Sequence, residues 1–242
     1  MEFVDAILKS THNSYAGSTV GSIHTQLNDG VRCLELDLHS TGSSIGGSEF
    51  ILGHLAPGLE VSLGNGNPNS LLLADWLSSI NLWIAVHPQA ASLILVLDIK
   101  SAFMPPSISQ LEAILIAVFQ NRLVCPTDVA HSWPSTDDLR GKIITIISGN
   151  DATRHQCSAF GCSAMFTEWQ RHDSWVPSSP FCAASADDIG WLQTQRLTTG
   201  AITRGWGFGE QHSHLPLPNW PATNSPYATW YKDLMMRAGA LV

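Results

Sequence analysis

Apolar positions recur along the chain as short strand-like runs separated by stretches of helical periodicity. Residues 6–9 form a brief apolar run ending in Ser10-Thr11-His12-Asn13, and Leu34-Glu35-Leu36-Asp37-Leu38 alternates with period two, the spacing of a strand with one face in a core. Ile51-Leu52 leads into Gly53-His54, and residues 93–97 and 143–147 are continuous apolar runs of the buried-strand type. Met165-Phe166, residues 201–204 and residues 240–242 complete eight candidate strands. Leu73, Trp76, Leu77, Ile80, Trp83 and Ile84 recur at helical spacing, as do Leu111, Ile114, Leu115, Val118 and Phe119. Ser109 and Glu112 make a capping-box pattern that predicts the start of the second helix. Residues 169–190 and 205–226, rich in Trp, His, Pro and Ser, read as long loops. Alternating strands and helices predict an α/β fold, and eight strands favour a distorted (β/α)8 barrel over a doubly wound sheet. Without an internal repeat or linker, residues 1–242 read as one domain.

Composition narrows the class. A chain of 242 residues has the length of one such barrel. Charged residues make up 13%, roughly half the usual share, and there are 9 Trp. A net charge of −8 with no basic run excludes nucleic acid as a partner, because phosphate backbones are held by clustered Lys and Arg. No apolar stretch reaches the roughly 18 residues of a bilayer span. Met1-Glu2-Phe3 has neither the basic nor the apolar part of a secretory leader. The five Cys lack zinc-like CxxC pairs; a Cys157–Cys162 or Cys162–Cys182 disulfide and buried free thiols both fit. The low-charge, Trp-rich texture leans towards a secreted or extracytoplasmic protein, with a monomer as the expected state.

The chemistry lies in where ionisable residues fall. His12, Asn13, Glu35, Asp37, His54, Asp98, Lys100, Glu168 and Arg204 all sit in or just after the C-terminal part of a candidate strand. A parallel barrel gathers those ends into one ring, the usual place of its active site. Glu35 and Asp37, at i and i+2, point to the same face of a strand otherwise made of leucines. Two carboxylates buried side by side are costly, and a hard divalent cation relieves both the burial and the repulsion. The alternative is a pair facing solvent or Arg32. Asp98 and Lys100 repeat the i, i+2 pattern and add a third carboxylate and a cation for a phosphate; an ion pair inside the barrel is the plainer account. Trp206, two residues past Arg204, is a candidate wall of the site. The other late Trp residues fit either loop packing or transient contact of the barrel mouth with a membrane surface. His155, His212 and His214 are spaced too irregularly for a metal cluster and read as surface-loop residues.

The segment Thr11-His12-Asn13-Ser14-Tyr15, followed by the run from Gln26 through Glu35-Leu36-Asp37 to His39, resembles the start of the X region of phosphatidylinositol-specific phospholipases C. The likeness is closer to the calcium-dependent bacterial and fungal branch. It continues through Gly53-His54, His87-Pro88, Asp98-Ile99-Lys100, Trp133-Pro134 and Leu139-Arg140-Gly141-Lys142, covering roughly residues 6–150, and more thinly through residues 201–204 and 238–240. The resemblance implies a distorted TIM barrel and two catalytic histidines. His12 would stabilise the pentacoordinate phosphorus and move protons, and His54 would assist the leaving alcohol. It also implies a Ca²⁺ site at Asn13, Glu35, Asp37 and Asp98, the last where the family commonly has glutamate. Oxygen ligands alone would also accept Mg²⁺. Lys100 matches a phosphate- or head-group-contacting lysine, and Arg204 corresponds loosely to a head-group residue. The implied substrate is a phospholipid or other phosphodiester, cleaved by an internal hydroxyl through a cyclic phosphodiester.

Two other readings share the barrel: a sphingomyelinase D or phospholipase D-like enzyme, which has similar residues at similar spacing, and a glycerophosphodiester phosphodiesterase. A catalytically inactive lipid-binding barrel is the rival from another class, weakened because two His, three carboxylates, an Asn and a Lys are all present.

Overall fold

Apolar runs with no polar face need cover on both sides, and the chain provides it by rolling its strands into a ring with helices outside. A computed structural model describes residues 1–41, 50–130, 132–175 and 179–241. Its strands are β1 (Ser10–Thr11), β2 (Cys33–Ser40), β3 (Phe50–Leu52), β4 (Leu93–Ile99), β5 (Leu123–Val124), β6 (Ile143–Gly149), β7 (Phe166–Thr167), β8 (Trp169–Gln170), β9 (Phe181–Ser185), β10 (Ile202–Trp206) and β11 (Trp220–Thr223). Its helices are α1 (Gly17–Val20), α2 (Ile23–Asn28), α3 (Leu73–Val86), α4 (Pro105–Phe119), α5 (Asp151–Phe160), α6 (Ile189–Thr199) and α7 (Thr229–Arg237). The strands pair in the order β6-β4-β2-β1-β11-β10-β9-β8, all parallel. The ring closes through β7 and β8. They flank Glu168, and bond to β6 on one side and to β9 on the other. The result is a curled parallel barrel, the expected class.

Period two sorts each strand between two layers. Leu34, Leu36 and Leu38 face outward with Leu93, Leu95 and Leu97, and pack against Trp76, Leu77 and Ile80 of α3 and Leu111 and Leu115 of α4. Cys33, Ile94, Val96, Ile144 and Ile146 face inward and meet Phe166, Phe181, Ile202 and Trp220 in the barrel interior. Glu35, Asp37 and Asp98 continue the inward rows. Their strands are in register, Asp37 opposite Asp98 and Asp98 opposite Ser148.

Several expectations change. Residues 51–52 lie in β3, which runs antiparallel to β2 and stands outside the ring. The stretches expected as loops contain barrel strands: 169–190 holds β8, β9 and the start of α6, and 205–226 holds the end of β10 and all of β11. Residues 240–242 are not the eighth strand. Leu241 makes only an isolated bridge to Leu8, and Val242 lies outside the described residues. Helix α4 begins at Pro105 rather than Ser109, because proline suits a first turn whose amide would be unpaired anyway. Glu112 instead accepts from the Ser163 and Ala164 amides. Cys157 and Cys162 form a disulfide; Cys33 and Cys182 are buried thiols. Among the described residues no helix is long and apolar enough to cross a membrane.

Pro221 sits inside β11 with strands on both sides, where it cannot donate to the ladder. The Tyr231 hydroxyl of α7 repairs the seam. It bonds the Ser10 amide at 2.9 Å and lies 2.8 Å from the Pro221 carbonyl and 3.1 Å from that of Ser10.

Candidate active site

The strand C-termini converge on a cleft of about 270 Å³ lined by His12, Glu35, Asp98, Lys100, Ser148, Gly149, Gln170, Arg204 and Trp206. Its first wall is the turn after β1. The His12 amide donates to the Thr223 carbonyl at 3.0 Å and the Ser14 amide to the Glu35 carbonyl at 2.9 Å. Ser14 Oγ returns a contact by accepting from the Glu35 amide at 2.8 Å. Asn13 adopts φ 51, a left-handed conformation that Asn tolerates better than most residues, and the residue is buried.

Oxygens of Glu35, Asp37 and Asp98 all lie within 4.8 Å of one another. Asn13 Oδ1 and Asp37 Oδ1 are buried with no hydrogen-bond partner among the described residues. Tyr15 donates to Asp37 Oδ2 at 2.7 Å. Lys100 Nζ lies 2.8 Å from the same oxygen and 2.6 Å from Asp98 Oδ2. Burial, then Glu35 and Asp98, push the Asp37 carboxyl up to about 8, with Lys100 pulling the other way. Burial and Glu35 likewise raise Asp98. Glu35 goes down: burial opposes its charge, but His12, Arg204 and Lys100 together outweigh it.

His12 Nε2 is 3.5 Å from Glu35 Oε1, and its Nδ1 is 3.2 Å from Asn224 Oδ1. A carboxamide oxygen only accepts, so Nδ1 carries the hydrogen and Nε2 is left facing the carboxylates. His54 lies on the turn after β3 with Nδ1 3.3 Å from Glu60 Oε1, half-exposed, and it does not line the cleft. Gly53 before it is required, since a Cβ there would meet the Ala56 carbonyl oxygen at 2.1 Å.

Arg204 lines the cleft and is also tied to two buried acids. It is 2% exposed, and its Nε and Nη2 meet Glu168 at 2.9 and 2.8 Å. Nη1 pairs with Glu35, and Nη2 also reaches Ser148 Oγ at 3.2 Å. Trp206 does line the cleft, its ring 5.6 Å from the Arg204 guanidinium. The remaining late Trp residues are wholly or partly buried, which favours packing; the exposed apolar side chains beside His54 are Leu55, at 77%, Leu59 and Leu63. His212 is no surface-loop residue: it is buried, accepting from the Gly209 amide and donating to Asp187 at 3.0 Å.

Ser148, Gly149, Gln170 and Asn224 were not picked out from the sequence. Ser148-Gly149 ends the isoleucine run of β6, so the strand-end rule that found Asp98 reaches it too. Gly149 makes room for the site: it has φ +76, and a Cβ there would stand 2.1 Å from Asp98 Oδ1. Gly149→Ala should therefore displace Asp98 and destabilise the protein by more than about 1 kcal/mol, measured by urea denaturation; an unchanged midpoint would show that the turn adapts.

The family model of the phosphatidylinositol-specific phospholipase C X domain matches residues 5–148. Among solved structures, the chain is similar to a calcium-dependent phosphoinositol-specific phospholipase C from a Gram-negative Pseudomonas species. The identity is 21% over 96% of this chain and 94% of that one, with a TM-score of 0.77. It is similar also to a Ca²⁺-dependent phosphatidylinositol-specific phospholipase C from Streptomyces antibioticus, 16% identical over 85% and 83% of the chains, TM-score 0.70. The enzyme of that name from Listeria monocytogenes is 12% identical over 98% and 94%, TM-score 0.59. No curated protein sequence matches the chain. Likenesses at these identities speak for the barrel alone. The family model spans more than half of the chain and takes in His12, Asn13, Glu35, Asp37, His54, Asp98 and Lys100, so the chain belongs to the phosphatidylinositol-specific phospholipase C X-domain family of phosphodiesterases.

Proposed function

We propose that this enzyme cleaves a phosphatidylinositol-type phospholipid with Ca²⁺ held by Asn13, Glu35, Asp37 and Asp98. One observation carries the reading: three carboxylates converge within 4.8 Å, and one of their buried oxygens, Asp37 Oδ1, has no hydrogen-bond partner among the described residues, nor does the buried Oδ1 of Asn13 next to His12 in sequence. Carboxylate oxygens gathered within 4.8 Å of one another suit a hard divalent cation, which takes several oxygen ligands. Bound there, a divalent ion lowers the pKa of a coordinated hydroxyl and neutralises charge on a phosphoryl oxygen. The calcium dependence named for the Pseudomonas and Streptomyces proteins supports Ca²⁺ over Mg²⁺.

In the proposed reaction an internal hydroxyl of the head group attacks phosphorus, and the bond to the lipid alcohol breaks. His12 Nε2 faces the cluster and moves protons at the phosphoryl centre, its Nδ1 anchored on Asn224. His54 stands beside the cleft rather than in its lining, and the sequence resemblance, not the cleft geometry, supports it as the group that protonates the leaving oxygen; Glu60 at 3.3 Å holds its ring. The product is a cyclic phosphodiester, which water can open. Leu55, Leu59 and Leu63 beside His54 support transient lipid contact, and the Cys157–Cys162 disulfide supports an oxidising, extracytoplasmic location. ³¹P NMR of products from phosphatidylinositol and from sphingomyelin tests the reading. A cyclic inositol phosphate supports it; release of choline would assign the chain to the sphingomyelinase D-like chemistry.

A pH dependence follows from Asp37. Its folded-state pKa is raised from 3.8 to about 8, so it favours the metal-free fold at low pH, and that contribution fades as pH rises between these values. Ca²⁺ requires the carboxylate, so binding releases a proton below about pH 8. Calorimetry in buffers of different ionisation enthalpy should show proton release at pH 6, little at pH 9, and tighter binding at the higher pH. A pH-independent affinity would remove Asp37 from the ligand set.

A further inference from the structure

Lys100 lines the cleft but has its ammonium on carboxylates. Its ammonium bridges Asp98 Oδ2 and Asp37 Oδ2, two of the three clustered carboxylates. The third, Glu35, is paired with Arg204. These two cations are held very differently. The Arg204 guanidinium is fastened from behind by Glu168 and Ser148, and its planar fork leaves it no second position. Lys100 follows β4 directly, its side chain is 22% exposed, and it lines the open cleft. Its flexible four-carbon stem can move the ammonium without moving the backbone.

A divalent ion among these oxygens would compete for the lone pairs that Lys100 occupies and would repel its charge. We propose that Lys100 is a displaceable internal counter-ion: it holds Asp37 and Asp98 together until Ca²⁺ takes their oxygens, and is then released into the cleft as a phosphate-binding cation. This rests on the reading of the cluster as a Ca²⁺ site. It orders the two binding events, because the group that grips the phosphate stays masked until the metal arrives.

Reductive methylation followed by peptide mass spectrometry reads the release in the intact protein, with exposed Lys232 as internal control. Calorimetry of Ca²⁺ on the wild type and on Lys100→Met reads the competition. Saturating Ca²⁺ should raise Lys100 methylation at least threefold relative to Lys232, and the variant should bind Ca²⁺ about tenfold more tightly. Ca²⁺ binding to the wild type with unchanged Lys100 methylation would overturn the proposal and leave the metal site standing. Binding to the variant alone would overturn it as well, since Lys100 would then replace the metal permanently. If neither protein binds Ca²⁺, the underlying site assignment fails and the displacement goes with it.

Discussion

Replacing His12 with alanine is expected to lower kcat for phosphodiester cleavage by about 10²–10⁴, the usual contribution of a positioned acid–base group. The fold should survive the change. The imidazole is partly exposed at the cleft, and the bonds that shape its turn come from the backbone of His12 and Ser14 and the side chain of Ser14. Ca²⁺ affinity should change far less than kcat, because the oxygens proposed to hold the metal belong to other residues. This separates the enzyme from an inactive lipid-binding barrel, which would bind lipid equally well with or without the ring. Single-turnover rates on phosphatidylinositol, taken beside calorimetric Ca²⁺ binding, make the comparison. Equal rates for the wild type and the variant would rule out proton transfer by His12.

Arg204→Ala should produce the largest loss of stability. Glu35 and Glu168 are almost entirely buried and both pair with this guanidinium, so removing it leaves two buried carboxylates without their cation. Breaking a buried pair in this way costs about 3–5 kcal/mol. The loss should shrink in acid. In the wild type Glu35 is held below its usual pKa, so its contribution is present above the unfolded value and lost as pH falls. In the variant, burial without the cation raises the carboxyl pKa, and protonation relieves the strain. Urea denaturation at pH 7 and pH 5 reads both. Arg204→Lys should recover only part of the stability, because an ammonium cannot span both carboxylates as the fork does. A variant as stable as the wild type at pH 7 would mean that water reaches this part of the barrel.

Legibility in the sequence followed the strength of local patterning. The leucine and isoleucine runs of β2, β4 and β6 announce themselves, and period two already turns Glu35 and Asp37 inward. Strands β9 and β11 were hidden for physical reasons. Phe181-Cys-Ala-Ala-Ser185 is short and poor in β-branched residues, and β11 contains a proline, normally a mark against an interior strand. The cost of Pro221 is met by Tyr231, ten residues away and on a helix, which no local rule anticipates. The site divides along the same line. Its clustered carboxylates stand towards strand ends and could be listed from spacing. The partners that decide how each is used are remote: Arg204 meets Glu35 across 169 positions and His12 meets Asn224 across 212. The pairing of Arg204 with two buried acids is therefore legible only in the folded chain.

The Tyr231 hydroxyl has a further bearing on local opening. Fluctuations that detach a terminal helix are usually the easiest in a protein and leave its function intact. Here α7 carries the group that ties the first strand to the last, and the next residues along each of those strands are His12 and the Thr223-Asn224 pair that holds it. Undocking α7 would loosen the grip on the imidazole proposed as catalytic, so opening of this helix would be felt at the candidate site. Amide exchange of Ser10 and His12 and the catalytic rate should respond together to anything that weakens the helix.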